Sequence, residues 1–354
     1  MIEARGLSMR YGAVNALVDA TFSAQKGEVV GLLGPNGAGK TTTMRILTTF
    51  QQPSGGSAIV AGHDIVAEPL EVRRRIGYLP ESLPLYLSME VRECLRFVGR
   101  ARGLRGRELK DRVDWVVAKC GLDRMFRSPV LTLSKGYRQR TALAQALVHD
   151  PEVVILDEPT TGLDPHQILE MRRLIRELAA ERTVMLSTHI MQEASALVDR
   201  LLVMSRGRIV GRGTPDELRE QSGVYPTVRL RVRGARVVDA MMALEALSAA
   251  GKITATDSED AYAALEIVEV DDGLLDAVGI LAHDHGLTVL ELSRTEGSLE
   301  DVFLALTSDD WAGDQALYDA AGSATHQGAP SVDADYDTDA AADATETDDD
   351  EVAA

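Results

Sequence analysis

The chain has 354 residues, enough for two domains and too many for one ordinary core, with an apolar share of 45% that is normal for a globular protein. Its net charge of −18 belongs to one end: from Asp309 onward there are 14 acidic residues and no Lys or Arg, leaving 41 acids against 37 bases before it. Two cysteines exclude a disulfide scaffold, and no stretch approaches the roughly 18 to 20 consecutive apolar residues that span a bilayer.

The first residues run straight into a predicted strand, without a basic then apolar leader pattern. Val29–Leu33 is a short apolar run that feeds Gly34-Pro35-Asn36-Gly37-Ala38-Gly39-Lys40-Thr41-Thr42, and a helix is predicted from Lys40 to about Thr49. Strand, glycine-rich loop and helix in that order make a phosphate loop rather than a chance turn. The glycines permit the tight turn that lets successive N–H groups converge on phosphate oxygens. Lys40 then reaches the β- and γ-phosphates, and the Thr41 hydroxyl ligates Mg²⁺.

Val91–Gly121 carries helix-period apolar positions, so residues 87–140 read as a helical insertion. Its Cys94 and Cys120 match no metal-ligand spacing and read as a reduced, buried pair, as in a cytosolic protein. Its Arg92, Arg96, Arg100, Arg102, Arg105, Arg107, Lys110 and Arg112 read as a solvated face, with anionic headgroups or a membrane partner's loops as the sharper alternative. A second apolar strand, Val153–Leu156, leads into Asp157-Glu158-Pro159, where Asp157 at the strand end can hold Mg²⁺. A helix over His166–Ala180 and a third strand, Thr183–Ser187, complete a mostly parallel α/β alternation.

Leu133-Ser134-Lys135-Gly136-Tyr137 lies shortly before the second strand. With the phosphate loop and Asp157-Glu158, it makes the chain resemble the ATP-binding-cassette (ABC) ATPases from Met1 to about Gln221. That resemblance implies a P-loop NTPase core of ABC type over residues 1–222, binding ATP with Mg²⁺. It implies that Glu158 polarises the attacking water and that His189, in Ser187-Thr188-His189, contacts the γ-phosphate. Asp164, in Gly162-Leu163-Asp164, falls in the loop that couples two ATP sites, and Tyr11 falls where an aromatic stacks on adenine. Ser134 and Gly136 would complete the ATP site of a second copy, which implies a head-to-tail homodimer. Lys135 and Tyr137 replace the commoner Gly and Gln of the signature, and Glu81 stands where the family usually has Gln, still able to ligate Mg²⁺ through oxygen. These departures resemble the gliding-motility-type branch of ABC-2 exporters. The implied partners are separate transmembrane permease subunits, and the implied location is the cytoplasmic face of the cell membrane. A soluble ABC ATPase acting on ribosomes or DNA is the alternative. It is opposed by the single cassette and the absence of a Cys cluster or heptad arm, and scarce aromatics argue against nucleic acid. A regulatory ATP-binding module without turnover is opposed by Glu158 and His189 together.

Beyond Gly223-Val224-Tyr225-Pro226 the pattern changes. Strands are predicted over Thr227–Val232, Lys252–Thr256, Ala261–Val270 and Leu287–Leu292, with helices over Val237–Ala250 and Leu274–His285. The βαββαβ order makes residues 226–307 a small α+β ferredoxin-like accessory domain. Ser298 is predicted to cap a short helix with Val302, Phe303 and Leu306 on its apolar face. Residues 309–354 are too poor in apolar side chains to offset chain entropy and are predicted to be a disordered acidic tail.

Overall fold

The computed structural model describes residues 1–224, 227–233, 253–259, 262–268, 274–295 and 297–307. The acidic tail 309–354 and the helix expected over Val237–Ala250 lie outside the described residues.

The centre is a six-stranded sheet built from β3 (Val29–Leu33), β6 (Ile76–Leu79), β7 (Val153–Asp157), β8 (Thr183–Thr188), β9 (Arg200–Ser205) and β10 (Arg208–Gly213). Its order is β10-β9-β3-β8-β7-β6, parallel throughout except for β10 at one edge. β3, β7 and β8 are buried at every position, as strands covered on both faces must be. Successive side chains point to opposite faces, and they sort into two cores accordingly. Leu33, Val154, Leu156, Val184 and Leu186 face one core with the helices. Leu32, Val153, Ile155, Met185 and Leu202 face the other. This second core is closed by an antiparallel sheet of β1 (Ile2–Tyr11), β2 (Val14–Ala24), β4 (Gly55–Val60) and β5 (His63–Asp64), with α1 (Lys40–Leu47).

No strand lies between β6 and β7. That interval holds α3 (Val91–Ala101), α4 (Gly106–Lys119) and α5 (Lys135–Leu147), after α2 (Pro69–Arg75). Glu90 and Glu93 form a reciprocal cap on α3, and Ser134 caps α5. Cys94 and Cys120 are free and buried there. The basic residues of this stretch are not uniformly a solvated face. Arg112 donates to the carbonyls of Leu147 and Val148, pairs with Asp150 and stacks on Trp115, while Arg102 donates to the Arg73 carbonyl. Arg96, Arg100, Arg107 and Lys110 stay exposed.

α6 (Pro165–Ala179) and α7 (Met191–Leu197) flank β8, and α8 (Pro215–Ser222) ends the cassette-like part. The remaining strands, β11 (Thr227–Arg233), β12 (Ile253–Glu259), β13 (Tyr262–Val268) and β14 (Thr288–Thr295), form a separate antiparallel sheet ordered β12-β13-β11-β14. That order is the one a ferredoxin-like βαββαβ unit requires, with α9 (Leu274–Asp284) before the last strand. The strand expected to end at Thr256 runs on as far as Glu259, because Ser258 and Glu259 pair with Ala263 and Tyr262. Helix 299–307, α10, has its cap from Ser298 and Asp301 as expected. It packs on the helix-facing core, burying Leu299 and Val302, with Phe303 and Leu306 against it.

Two predictions follow from this packing. Ile155→Ala, in a central strand at 0% exposure, is expected to cost about 2 to 5 kcal/mol in urea unfolding. His149 is pushed down to about 4, first by burial and then by the nearby Arg102 guanidinium. It sits with Nε2 2.8 Å from the Ile76 carbonyl and with a buried, unpartnered Nδ1. The folded state therefore holds it neutral while the unfolded chain takes a proton below about 6.5. Stability should fall as pH drops from about 6.5 towards about 4, and His149→Gln should flatten that slope in pH-dependent denaturation.

Candidate functional site

The turn between β3 and α1 can exist only without side chains at its ends. A Cβ on Gly34 would meet the Met204 carbonyl oxygen at 2.3 Å, and Gly39 has φ +104°, in the left-handed region. α1 has no side-chain cap, so its first-turn N–H groups, from Lys40 through Thr42, face outward as an anion seat. Pro35, Asn36 and Gly37 are exposed, and Ala38 is buried beneath them. Lys40 is itself buried, with Nζ donating to the carbonyls of Gly34 at 2.7 Å and Pro35 at 3.2 Å, and 3.8 Å from Glu158 Oε1. Burial lowers its pKa from the usual lysine value, against the raising pull of Glu158, Asp157 and Glu81.

Parallel pairing sets Asp157, the last residue of β7, beside Ser187 of β8. The Ser187 hydroxyl donates to Asp157 Oδ1 at 2.5 Å and accepts the Glu158 N–H at 2.9 Å. Glu158 stands at φ +50°, a conformation that a non-glycine residue adopts at a cost. That turn directs its carboxylate inward, at 8% exposure, where Oε2 meets His189 Nδ1 at 2.9 Å and accepts from the Thr161 hydroxyl at 3.2 Å. His189 is 45% exposed, so its ring bridges the buried carboxylate and the surface.

Asp157 is 1% exposed, and its Oδ2 has no hydrogen-bond partner. Thr41 Oγ1 lies 3.5 Å from Oδ1 of the same carboxylate, and Glu81 lines a pocket with Thr41 and Asp157. Among the described residues no group of three or more His, Cys, Asp or Glu could hold a metal by itself. Mg²⁺ bound to a triphosphate needs only one or two carboxylates and a hydroxyl from protein. An orphaned, buried carboxylate oxygen beside Thr41 fits that need.

Lys40, Thr41, Asp157, Glu158 and His189 thus form one contact network, with Glu81 at its rim. Tyr11, Ser134, Gly136 and Asp164 make no hydrogen bond to it. Tyr11 is exposed and its hydroxyl donates to Gln51. Ser134 Oγ accepts the Tyr137 N–H at 3.4 Å as the cap of α5, and Asp164 accepts the Gln167 N–H at 2.9 Å as the cap of α6. Gly136 is buried rather than open, because the Gln167 side chain lies over it. Ser187 and Thr161 are the functional positions that sequence reasoning missed as side chains. Only the register of β7 against β8 could have pointed to Ser187.

A family model described as ABC transporter matches residues 17–161. The chain is 35% identical over 306 residues to the daunorubicin resistance ATP-binding protein DrrA3 of Streptomyces coeruleorubidus, covering 86% of this chain and 95% of that protein. It is 41% identical over 209 residues to the ABC transporter ATP-binding protein NatA of Bacillus subtilis, covering 58% of this chain and 85% of that one. The solved structure of an ATP binding subunit of an ABC transporter matches with a TM-score of 0.58 at 34% identity, covering 63% of this chain and 94% of that chain.

Ser187→Ala would leave the buried Glu158 N–H without its acceptor and Asp157 Oδ1 without its donor. The expected loss is about 1 to 3 kcal/mol in chemical denaturation, with a matching fall in ATPase rate.

Proposed function

The chain belongs to the ABC transporter family as an ATP-binding protein with an ABC ATPase domain, and from that premise we propose that it energises export through separate membrane subunits by ATP-driven head-to-tail dimerisation. The observation that carries the reading is Glu158, held buried at the end of β7 between Lys40 and His189, beside the phosphate loop.

In this reading a triphosphate seats on the N–H groups at the start of α1, and Lys40 exchanges loop carbonyls for phosphate oxygens. Tyr11, exposed at the end of β1, stacks on the adenine. Asp157 and Thr41, with Glu81, would hold Mg²⁺, which supplies charge neutralisation at the β- and γ-phosphates. Glu158 accepts the proton of a water as its oxygen bonds to the γ-phosphorus. The bond to the β-phosphate oxygen breaks, and ADP and inorganic phosphate leave. His189 holds the carboxylate oriented and can exchange that bond for one to the γ-phosphate, so its partner reports whether the phosphate is present. Ser134 and Gly136 complete the site on the other copy, and closure and reopening follow ATP binding and hydrolysis as a population shift.

No described helix is long and apolar enough to cross a membrane. The relatives are resistance and transporter ATP-binding proteins by name, which favours the exporter branch and a peripheral place at the cytoplasmic membrane face.

Glu158→Gln keeps the shape of the side chain and removes the base. Hydrolysis should fall by roughly 10²-fold or more, while ATP with Mg²⁺ should convert monomer to a stable dimer in size-exclusion chromatography. Near-normal turnover would remove Glu158 from the base role.

A further inference from the structure

Lys135, where the resembling signature has glycine, does not simply extend into solvent. Its side chain runs across Gly162: a Cβ built on that glycine would meet Lys135 Nζ at 1.9 Å, Cε at 2.9 Å and Cδ at 3.3 Å. The contact is reciprocated. A Cβ on Gly136 would meet the Gln167 side chain, Oε1 at 2.4 Å and Cδ at 2.6 Å. A third link lies beneath, where Gln139 Nε2 donates to the Pro159 carbonyl at 3.0 Å. The start of α5 and the segment 159–167 are therefore interlocked, each laying a long side chain over a glycine of the other.

We propose that Lys135 is a positioning residue that locks the Gly162–Asp164 loop to the signature motif of the same chain, so that both meet a second copy as one body. The inference rests on the head-to-tail reading given above. Gly162, at φ +72° and without a side chain, can offer nothing of its own to hold the loop. The end of the Lys135 side chain, Nζ and Cε foremost, lies over it and fills the space a side chain at 162 would take. A loop ordered before assembly loses less conformational freedom when the dimer closes, so less ATP is needed to close it.

The test uses the full chain in the Glu158→Gln background, following ATP–Mg²⁺-dependent dimerisation by light scattering. Lys135→Ala and Gly162→Ala, the second of which drives a methyl into the Lys135 side chain, should each raise the ATP concentration for half-dimerisation about five- to tenfold. Combined, they should raise it no further than the larger single effect, because both remove one contact. Fluorescent ATP binding to the dilute monomer and its thermal midpoint should stay unchanged for Lys135→Ala, and Lys135→Arg should restore the midpoint of dimerisation. If Gly162→Ala does not fold, Lys135→Ala and its rescue by Lys135→Arg carry the test without it. Additive effects, or an unchanged midpoint for Lys135→Ala while the Glu158→Gln parent dimerises, overturn the proposal alone. Failure of that parent to dimerise overturns both the head-to-tail reading and this one.

Discussion

One hydroxyl, on Ser187, holds the site together. It donates to the Asp157 carboxylate and accepts the Glu158 N–H across the β7–β8 pair. That double bond of contacts steadies Glu158 in its left-handed turn, and the turn is what sends one carboxylate of the pair towards Thr41 and the next towards Lys40 and His189. Two adjacent residues on an extended strand would instead point to opposite faces. The division of labour between neighbouring carboxylates therefore depends on the bend, and the bend on a strand neighbour.

The sheet beneath is rigid for an independent reason. Its central strands are buried on both faces, with alternate residues committed to two separate cores. A one-residue slip would exchange those faces for the whole strand, so the register that pairs Asp157 with Ser187 is enforced by burial along its length. The helix-facing core runs on through Val91, Leu95, Leu143 and Leu147 into α3 and α5. Helix 299–307 closes against the same core, so the C-terminal sheet is bracketed in sequence by segments that return to the ATPase part.

Ser134 and Asp164 are occupied as helix caps, which fixes the starts of α5 and α6 while leaving both residues near the surface. Such caps stabilise by about 1 kcal/mol each, and they explain why these residue types suit the positions even before any nucleotide is considered. The interlock of Lys135 with Gly162 and of Gln167 with Gly136 joins the two starts.

The sequence by itself determined what depends on neighbours along the chain. Gly34 to Thr42 reads as a phosphate loop because strand, glycines and helix are contiguous. The apolar run before Asp157 reads as a buried strand, and Ser298 reads as a cap because a cap bonds only three residues ahead. Tertiary structure alone decided the contacts made by distant residues. Nothing in the order of residues says that Ser187 stands opposite Asp157, that Glu158 takes a positive φ, or that Gly136 makes room for Gln167. Nor does it say that α10 packs on the helix-facing core, away from the neighbours its place in the chain suggests. Those features come from strand register and close packing, which are properties of the assembled layers and not of any one segment.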